Sequence, residues 1–236
     1  MTLTRRVAAT LLLTIVCAVG IALAYNGGPI GIDRQIMSSI LGHRNDALVP
    51  GVSAISDLFG PLMVTAWTAI IAIVFILRDR TIGRAAAVVA GVTAAAIVAE
   101  IVKLAVARPR PPLQYHLATT EMTYSYPSGH VTGTCALAVT TALVATVTAS
   151  AAVRRWAVIA AVMVTVFAAA TRLYLAVHWM SDVLAACAVG IAAALVIPGL
   201  VAAGLDELRQ RRPELPAWCS ARPLPTTTRK QTYVHR

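Results

Sequence analysis

Charged and aromatic residues are scarce in this sequence. Charged residues occupy 13% of the 236 positions and aromatic residues 6%, whereas soluble domains carry about 25% charged residues. This scarcity excludes an ordinary soluble domain, and the short alternating segments that would indicate a membrane β-barrel are missing. The apolar majority, 58% of the residues, is mainly aliphatic, and the mean hydropathy is +0.74. We therefore predict an all-α integral membrane protein.

Cysteine is also scarce, and the four cysteines show no paired spacing. Their positions exclude a disulfide framework and a cysteine zinc site. Cys17, Cys135 and Cys187 lie inside apolar segments, and Cys219 lies near the C-terminal end. We interpret them as buried structural thiols.

Six apolar segments reach or approach the ~20 residues that a membrane-spanning helix requires. They lie at about residues 7–24, 61–77, 85–106, 131–149, 156–174 and 183–203. We expect one six-span domain over residues 1–204 and a basic Pro/Arg-rich cytoplasmic tail over 205–236, which is disordered or binds anionic lipid. The first segment, preceded by Arg5 and Arg6, also resembles a cleaved signal peptide, and both interpretations stay open.

The positions of the basic residues predict the topology. Most of them lie before the first span, between the second and third, between the fourth and fifth, or after the sixth, and the positive-inside rule assigns these segments to the cytoplasm. The net charge of +10 would suggest nucleic acid in a soluble protein, but here it flanks apolar segments and indicates a bilayer. The exceptions, which need another explanation, are Arg34, Arg44, Lys103, Arg108, Arg110 and Arg172.

The segment between the first two spans is polar but patterned. Gly-Gly-Pro at residues 27–29 interrupts the first helix. Asp33 is a candidate cap for a short helix whose apolar face includes Ile36, Met37, Ile40 and Leu41. We expect this amphipathic helix, and a second one around residues 52–59, to lie at the outer membrane interface.

Ionisable residues gather at the ends of the later spans, near one membrane face. They are Lys103, Arg110, His130, Arg172, His178 and Asp182. Three cations without enough acids to pair them predict an anion site, because arginine binds phosphate in a bidentate manner and lysine adds a point charge.

Neighbouring groups suit the same site. Ser128 and Gly129 precede a helix, so their backbone N–H groups are candidates to bind the anion. Asp182 lies four residues after His178, where it can hold one ring nitrogen and leave the other free to attack. His130 is then available as the proton donor to a leaving group.

These segments make the chain similar to the type 2 phosphatidic acid phosphatase superfamily of lipid phosphatases. Lys103, six residues and Arg110-Pro111 match its first motif, and Pro-Ser-Gly-His at residues 127–130 matches its second. Residues 171–182 match Ser-Arg, five residues, His, three residues, Asp, except that Thr171 replaces serine. The order and spacing of the motifs make the resemblance specific.

The resemblance implies a six-span phosphatase that needs no metal or other cofactor. The residues that it assigns to phosphate binding are Lys103, Arg110, Ser128, Gly129 and Arg172. His178 is the expected nucleophile, with Asp182 holding its tautomer and His130 protonating the leaving group. Accessory positions are Arg108 at the rim of the site, Thr171, and Glu100, which either orients Lys103 or bonds to another helix.

A lipid phosphate or diphosphate is the expected substrate, since the site opens at headgroup level on the extracytoplasmic face. Phosphatidic acid, phosphatidylglycerol phosphate and a polyprenyl diphosphate all fit. The main alternative is a non-catalytic transporter or scaffold that binds anionic lipid, although a binder would not need the His-Asp pair. A vanadate-dependent haloperoxidase would share the motifs, but those enzymes are soluble.

Overall fold

The computed structural model describes residues 2–26, 28–117 and 123–221. Within these ranges the chain forms helices and no strand, in agreement with the all-α prediction. The α-helices are α1 (Leu3–Asn26), α2 (Gly31–His43), α3 (Val49–Asp57), α4 (Pro61–Asp79), α5 (Gly83–Val106), α6 (Gly129–Ala145), α7 (Ala151–Tyr174) and α8 (Met180–Arg211). Short 3-10 helices lie at Asp46–Leu48, Leu113–Tyr115 and Ala217–Cys219.

Five helices, α1, α4, α5, α7 and α8, are long and apolar enough to cross a membrane. The helix α6 is apolar but has only 17 residues, or about 25 Å at 1.5 Å per residue, which is less than the ~30 Å hydrocarbon core. It ends before the expected limit at residue 149 because the chain turns there into α7, where the Ser150 hydroxyl accepts the Val153 N–H at 3.4 Å. The count of six spans therefore stays a prediction.

Small residues let the central helices approach closely. The helix α8 packs against α1, α5 and α6. A Cβ atom added to Gly190 would lie 2.8 Å from Cβ of Cys135, and one added to Gly91 would lie 3.0 Å from Oγ1 of Thr140. Close backbone approach of this kind is how helices gain packing energy in a membrane, where apolar burial adds little.

The first helix contributes to this bundle and supports the loop before α6. The Tyr126 hydroxyl donates to the Val16 carbonyl at 2.7 Å, and Gly20 leaves room for the ring. The prediction of buried thiols is wrong for Cys17, which is exposed on the outer side of α1. Cys135 and Cys219 are buried and Cys187 is half-buried.

Two helices, α2 and α3, occupy the connection between α1 and α4. Met37 is buried and Ile36, Ile40 and Leu41 are half-buried, so the expected apolar face of α2 packs inward. Asp33 is not the residue that begins this helix. It lies in the first turn, where its carboxylate accepts the Ile30 N–H at 3.1 Å, and it is only 1% exposed.

The first part of the predicted tail is ordered, which corrects the expectation of disorder for it. The helix α8 continues to Arg211, beyond the expected end of the sixth span. The chain then returns to the start of α5, where the Ile82 N–H donates to the Trp218 carbonyl at 3.0 Å. Residues 222–236 of the predicted tail lie outside the described residues.

Candidate active site

The three motifs meet where α5 and α7 end and α6 and α8 begin. Ala107, with φ of 48°, stops α5 and turns the chain into the two Arg-Pro pairs. The Ser128 N–H donates to the Asp182 carbonyl at 3.2 Å, joining the second motif to the third. Nη1 of Arg110 donates to the Val177 carbonyl at 2.8 Å, joining the first motif to the third.

His178 lies between Arg110 and Asp182, with one ring nitrogen facing each. Nη1 of Arg110 is 3.1 Å from Nε2 of His178. Because a guanidinium can only donate, Nε2 accepts and Nδ1 carries the proton. Oδ2 of Asp182 lies 3.5 Å from Nδ1, close enough for attraction but longer than an optimal hydrogen bond. This arrangement leaves the lone pair of Nε2 on the side of the cation, as a nucleophile requires.

The protonation state of His178 follows from its surroundings. Burial lowers the pKa of His178 from 6.5 to about 4, the cations of Arg110 and Arg172 act in the same direction, and Asp182 opposes them. A lowered pKa means that the proton is lost at lower pH, so His178 is neutral at pH 7. A neutral imidazole has the free lone pair needed for attack.

Arg108 does not lie at the rim of the site, so that prediction is wrong. Its side chain is buried and donates from Nη1 to Oδ1 of Asp182 at 2.5 Å and from Nη2 to Oδ2 of Asp33 at 2.6 Å. Nη1 also donates to the Ser181 hydroxyl at 2.7 Å. Both carboxylates bind this guanidinium, because each is buried and needs a partner.

Lys103 projects from the last turns of α5 towards the start of α6. Its Nζ would lie 3.8 Å from a Cβ atom added to Gly129, so the glycine gives an ammonium group and the helix N-terminus access to the same volume. Glu100 is 3.3 Å from Nζ and is more than half exposed. This contact agrees with the first of the two roles considered for Glu100, which is to orient Lys103.

Ser128 and Gly129 differ in what they can offer an anion. The Ser128 N–H is occupied by the Asp182 carbonyl, so it is not the donor that the sequence suggested. Its hydroxyl is buried and has no hydrogen-bond partner among the described residues. A buried hydroxyl at this position is suited to bind a ligand oxygen, and the Gly129 amide remains a candidate donor beside it.

Arg172 and Thr171 end α7 with different roles. Arg172 is 2% exposed, and its Nη1 donates to the Ser56 hydroxyl of α3 at 2.9 Å. The Thr171 hydroxyl donates to the Ala168 carbonyl of its own helix at 2.8 Å. Serine could make the same bond, so the replacement in the motif keeps this hydrogen bond.

His130 lies in the first turn of α6 and faces the start of α4. Its Nε2 would be 3.4 Å from a Cβ atom added to Gly60. Gly60 therefore leaves space next to the imidazole that any larger residue would fill. This space adjoins an apolar groove of about 560 Å³, whose lining includes Phe59, Trp67, Leu137 and Val164.

Sequence reasoning missed the contribution of the segment before α4. Asp33 of α2 and Ser56 of α3 are each 1% exposed and bind Arg108 and Arg172, respectively. The available signal for Asp33 was the surplus of arginines on the side that the positive-inside rule assigns to the outside, because a buried arginine requires an acid. Local pattern suggested only a helix cap.

Metal binding and catalysis without a metal are separate questions. In the described ranges no group of three or more His, Cys, Asp or Glu side chains is arranged to hold a metal ion. The expectation that the reaction needs no metal stays a prediction, and it rests on the cations around His178.

Comparisons with known proteins agree with the motif assignment. The model of the PAP2 superfamily matches residues 84–204. No curated protein matches the chain. A crystal structure described as the first transmembrane PAP2 type phosphatidylglycerolphosphate phosphatase from Bacillus subtilis is similar, with a TM-score of 0.66, 20% identity, and coverage of 84% of this chain and 98% of that one. At this identity the similarity establishes a shared fold.

Proposed function

Because this chain belongs to the PAP2 superfamily, we propose that it is a membrane lipid phosphatase with His178 as its nucleophile. The observation that carries the proposal is the position of His178, buried between the Asp182 carboxylate and the Arg110 guanidinium. An anion-binding scaffold would need Arg110 but would gain nothing from an acid behind the imidazole. The pair therefore favours catalysis over binding alone.

We assign phosphate binding to groups at the helix ends that meet near His178. Arg110, Lys103 and Arg172 supply positive charge, and the Ser128 hydroxyl and Gly129 amide supply neutral donors. These groups stabilise the charge that develops on the equatorial oxygens as phosphorus becomes pentacoordinate. Fixed cations can provide the stabilisation that a metal gives elsewhere, so we propose that no metal is required.

The reaction proceeds in two displacements. In the first, the Nε2 lone pair attacks phosphorus, the P–N bond forms, the bond to the leaving oxygen breaks, and His130 transfers its proton to that oxygen. In the second, water attacks phosphorus and gives a proton to His130, and the P–N bond breaks to release phosphate and His178.

A lipid is the proposed substrate because the apolar groove begins next to His130. Leu58 and Phe59 line the groove and immediately precede Gly60, which adjoins the imidazole. One hydrocarbon chain in the groove would hold a headgroup near the site. The similar structure from Bacillus subtilis is described as a phosphatidylglycerolphosphate phosphatase. Phosphatidylglycerol phosphate, phosphatidic acid and a polyprenyl diphosphate are the candidates to compare.

The cytoplasmic placement of both termini, and of the site outside, is also a proposal. It is supported by the basic residues at the α4–α5 connection, near the α6–α7 connection at the start of α7, and after α8. Single cysteines at Gln114 and Arg155, in a background without native cysteines, test it with an impermeant thiol reagent on intact cells. Labelling at Gln114 alone is expected, and labelling at Arg155 alone would reverse the topology.

Phosphate release from purified protein tests the function. Each candidate lipid is compared with a short-chain analogue of the same headgroup, in chelator and with added magnesium, and His178→Ala is the inactive control. We expect activity in chelator, inhibition by vanadate and preference for long chains. Phosphate release that requires magnesium would contradict catalysis by fixed cations, and no release from any lipid would contradict the function.

A matched pair of variants tests the groove. Ala157→Phe fills it, whereas Val158→Phe adds the same ring on the exposed side of α7. We expect Ala157→Phe to lower kcat/KM for a long-chain lipid ~10-fold relative to its short-chain analogue, a plausible loss for blocked apolar contacts. Equal effects of the two variants on kcat/KM would mean that the groove does not bind the lipid chain.

A further inference from the structure

Two buried carboxylates share one arginine behind the proposed nucleophile. Asp33, Arg108 and Asp182 are 1%, 2% and 0% exposed. Among the residues that the structure describes, Arg108 is the only arginine or lysine that forms an ion pair with either acid. Asp33 comes from α2, outside the residues 84–204 that the family model matches. A residue from another part of the chain therefore reaches the motif that carries the reaction.

Each oxygen of Asp182 has a separate task. Oδ1 accepts from Nη1 of Arg108 at 2.5 Å. Oδ2 accepts from the Trp179 N–H at 2.8 Å and lies 3.5 Å from Nδ1 of His178. The contact with Arg108 thus fixes the rotation of the carboxylate, and that rotation decides which oxygen faces the imidazole.

Arg108 is held in turn by Asp33. Oδ2 of Asp33 accepts from Nη2 of Arg108 at 2.6 Å, and Oδ1 accepts the Ser181 N–H at 2.9 Å. The Ser181 hydroxyl lies between the two, 2.7 Å from Nη1 of Arg108 and 2.9 Å from each oxygen of Asp33. Because both terminal nitrogens of Arg108 are hydrogen-bonded, its guanidinium has a single orientation. That orientation determines how the Asp182 carboxylate is rotated.

We propose that Asp33 and Arg108 are positioning residues of the phosphatase site, acting through Asp182 on the tautomer and direction of His178. This inference rests on the proposed function. Neither residue touches the phosphate in this account, because both are buried behind Asp182 and their polar contacts are with each other, Asp182, Ser181 and backbone. Outer partners of a working histidine commonly contribute ~10–100-fold.

Asp33→Asn tests the proposal because it keeps the shape and one acceptor oxygen but loses the charge. We expect kcat to fall ~10–100-fold with KM within about threefold, since the phosphate ligands are untouched. Asp46→Asn is the matched control. Asp46 lies in the same connection, is exposed, and has no ion pair among the described residues, so it should retain wild-type activity.

A double-mutant cycle separates positioning from support of the fold. If Asp33 acts through Asp182, then Asp33→Asn should cause no further loss of kcat in an Asp182→Asn background. Independent effects would multiply. Phosphoenzyme formation is measured with an activated aryl phosphate, so that the rates of the slow variants remain measurable. Vanadate binding shows whether the phosphate site is intact.

The outcomes are distinguishable. Wild-type kcat in Asp33→Asn, a loss confined to KM, or multiplicative losses in the cycle would each overturn the inference while an active wild type leaves the function intact. An inactive wild type would remove the function itself. If Asp33→Asn does not fold, Ser181→Ala removes one support of the same fork, and we expect ~3–10-fold lower kcat that again vanishes in the Asp182→Asn background.

Discussion

Arg108 and Arg110 are separated by one proline and carry the same guanidinium, yet their surroundings differ. Arg108 is buried against two carboxylates and a hydroxyl. Arg110 is half-buried against backbone carbonyls and the nitrogen of His178 that we propose as nucleophile. The two carboxylates hold Arg108 in place, whereas Arg110 lies against the ring nitrogen of the proposed nucleophile, where its charge can act on an incoming anion. The two arginines therefore differ in role because their surroundings differ, although the residue type is the same.

The largest expected effect is on stability. Arg108→Leu leaves Asp33 and Asp182 buried without their cation, and breaking a buried pair in this way costs ~3–5 kcal/mol. Arg110→Leu should cost much less, because the Arg110 side chain is only half-buried. Denaturant unfolding of both variants in detergent measures the difference. Equal free energies of unfolding for the two variants would contradict the conclusion that Arg108 is the more important of the two for stability.

The next effect is on catalysis. Arg110→Leu removes a donor aimed at the developing charge, and the loss of such a donor costs ~10²–10³-fold in rate. Steady-state kinetics with a lipid phosphate, together with vanadate inhibition, should show both kcat/KM and inhibitor affinity reduced. A variant that retains wild-type kcat/KM would exclude Arg110 from the phosphate clamp.

A smaller effect is expected where a neutral group supports an arginine. Ser56→Ala removes the hydroxyl that accepts from Nη1 of Arg172, and one such hydrogen bond contributes about 1 kcal/mol, or about fivefold. We expect this change in KM, with kcat little altered, because we propose that Arg172 binds phosphate. Ser53→Ala, on the same helix and without a side-chain hydrogen bond among the described residues, serves as the control. If Ser56→Ala lowered activity as much as Asp33→Asn, the expectation that a charged partner contributes more than a neutral one would be contradicted.

The smallest effect is on the ionisation of His178. Arg110 is among the causes that lower the pKa of His178 to about 4. Removing the cation in Arg110→Leu should raise that pKa, so the ring binds its proton at higher pH than in the wild type. Titration of the labelled ring by NMR in the free protein measures the shift. A lower pKa in the variant would mean that Arg110 does not act on this ring as described.

Local pattern was sufficient for much of the site. Helical spans were recognisable from runs of Ala, Val, Leu and Ile, and the spacing of Lys103, His130 and His178 located the span ends that the structure brings together. These features depend on periodicity and on neighbours within a few turns. Such information is present in any short window of the sequence.

Long-range pairing was not recoverable in this way. Asp33 and Arg108 are 75 residues apart, and a carboxylate in a first helical turn looks the same whether it caps the helix or binds an arginine. The same limit explains Ser56, and the ordered segment after α8, whose contact with Ile82 depends on the bundle being assembled. The identity of a partner is a property of the tertiary structure.

Trapping the covalent intermediate shows whether His178 is the nucleophile. Wild-type protein, His178→Ala and His130→Ala are mixed with a radiolabelled activated phosphate ester and quenched rapidly in base, which preserves phosphohistidine. We expect label on the wild type, none on His178→Ala, and retained label on His130→Ala, because an activated leaving group needs little protonation. Label that persists in His178→Ala and disappears in His130→Ala would contradict the account and reverse the roles of the two histidines.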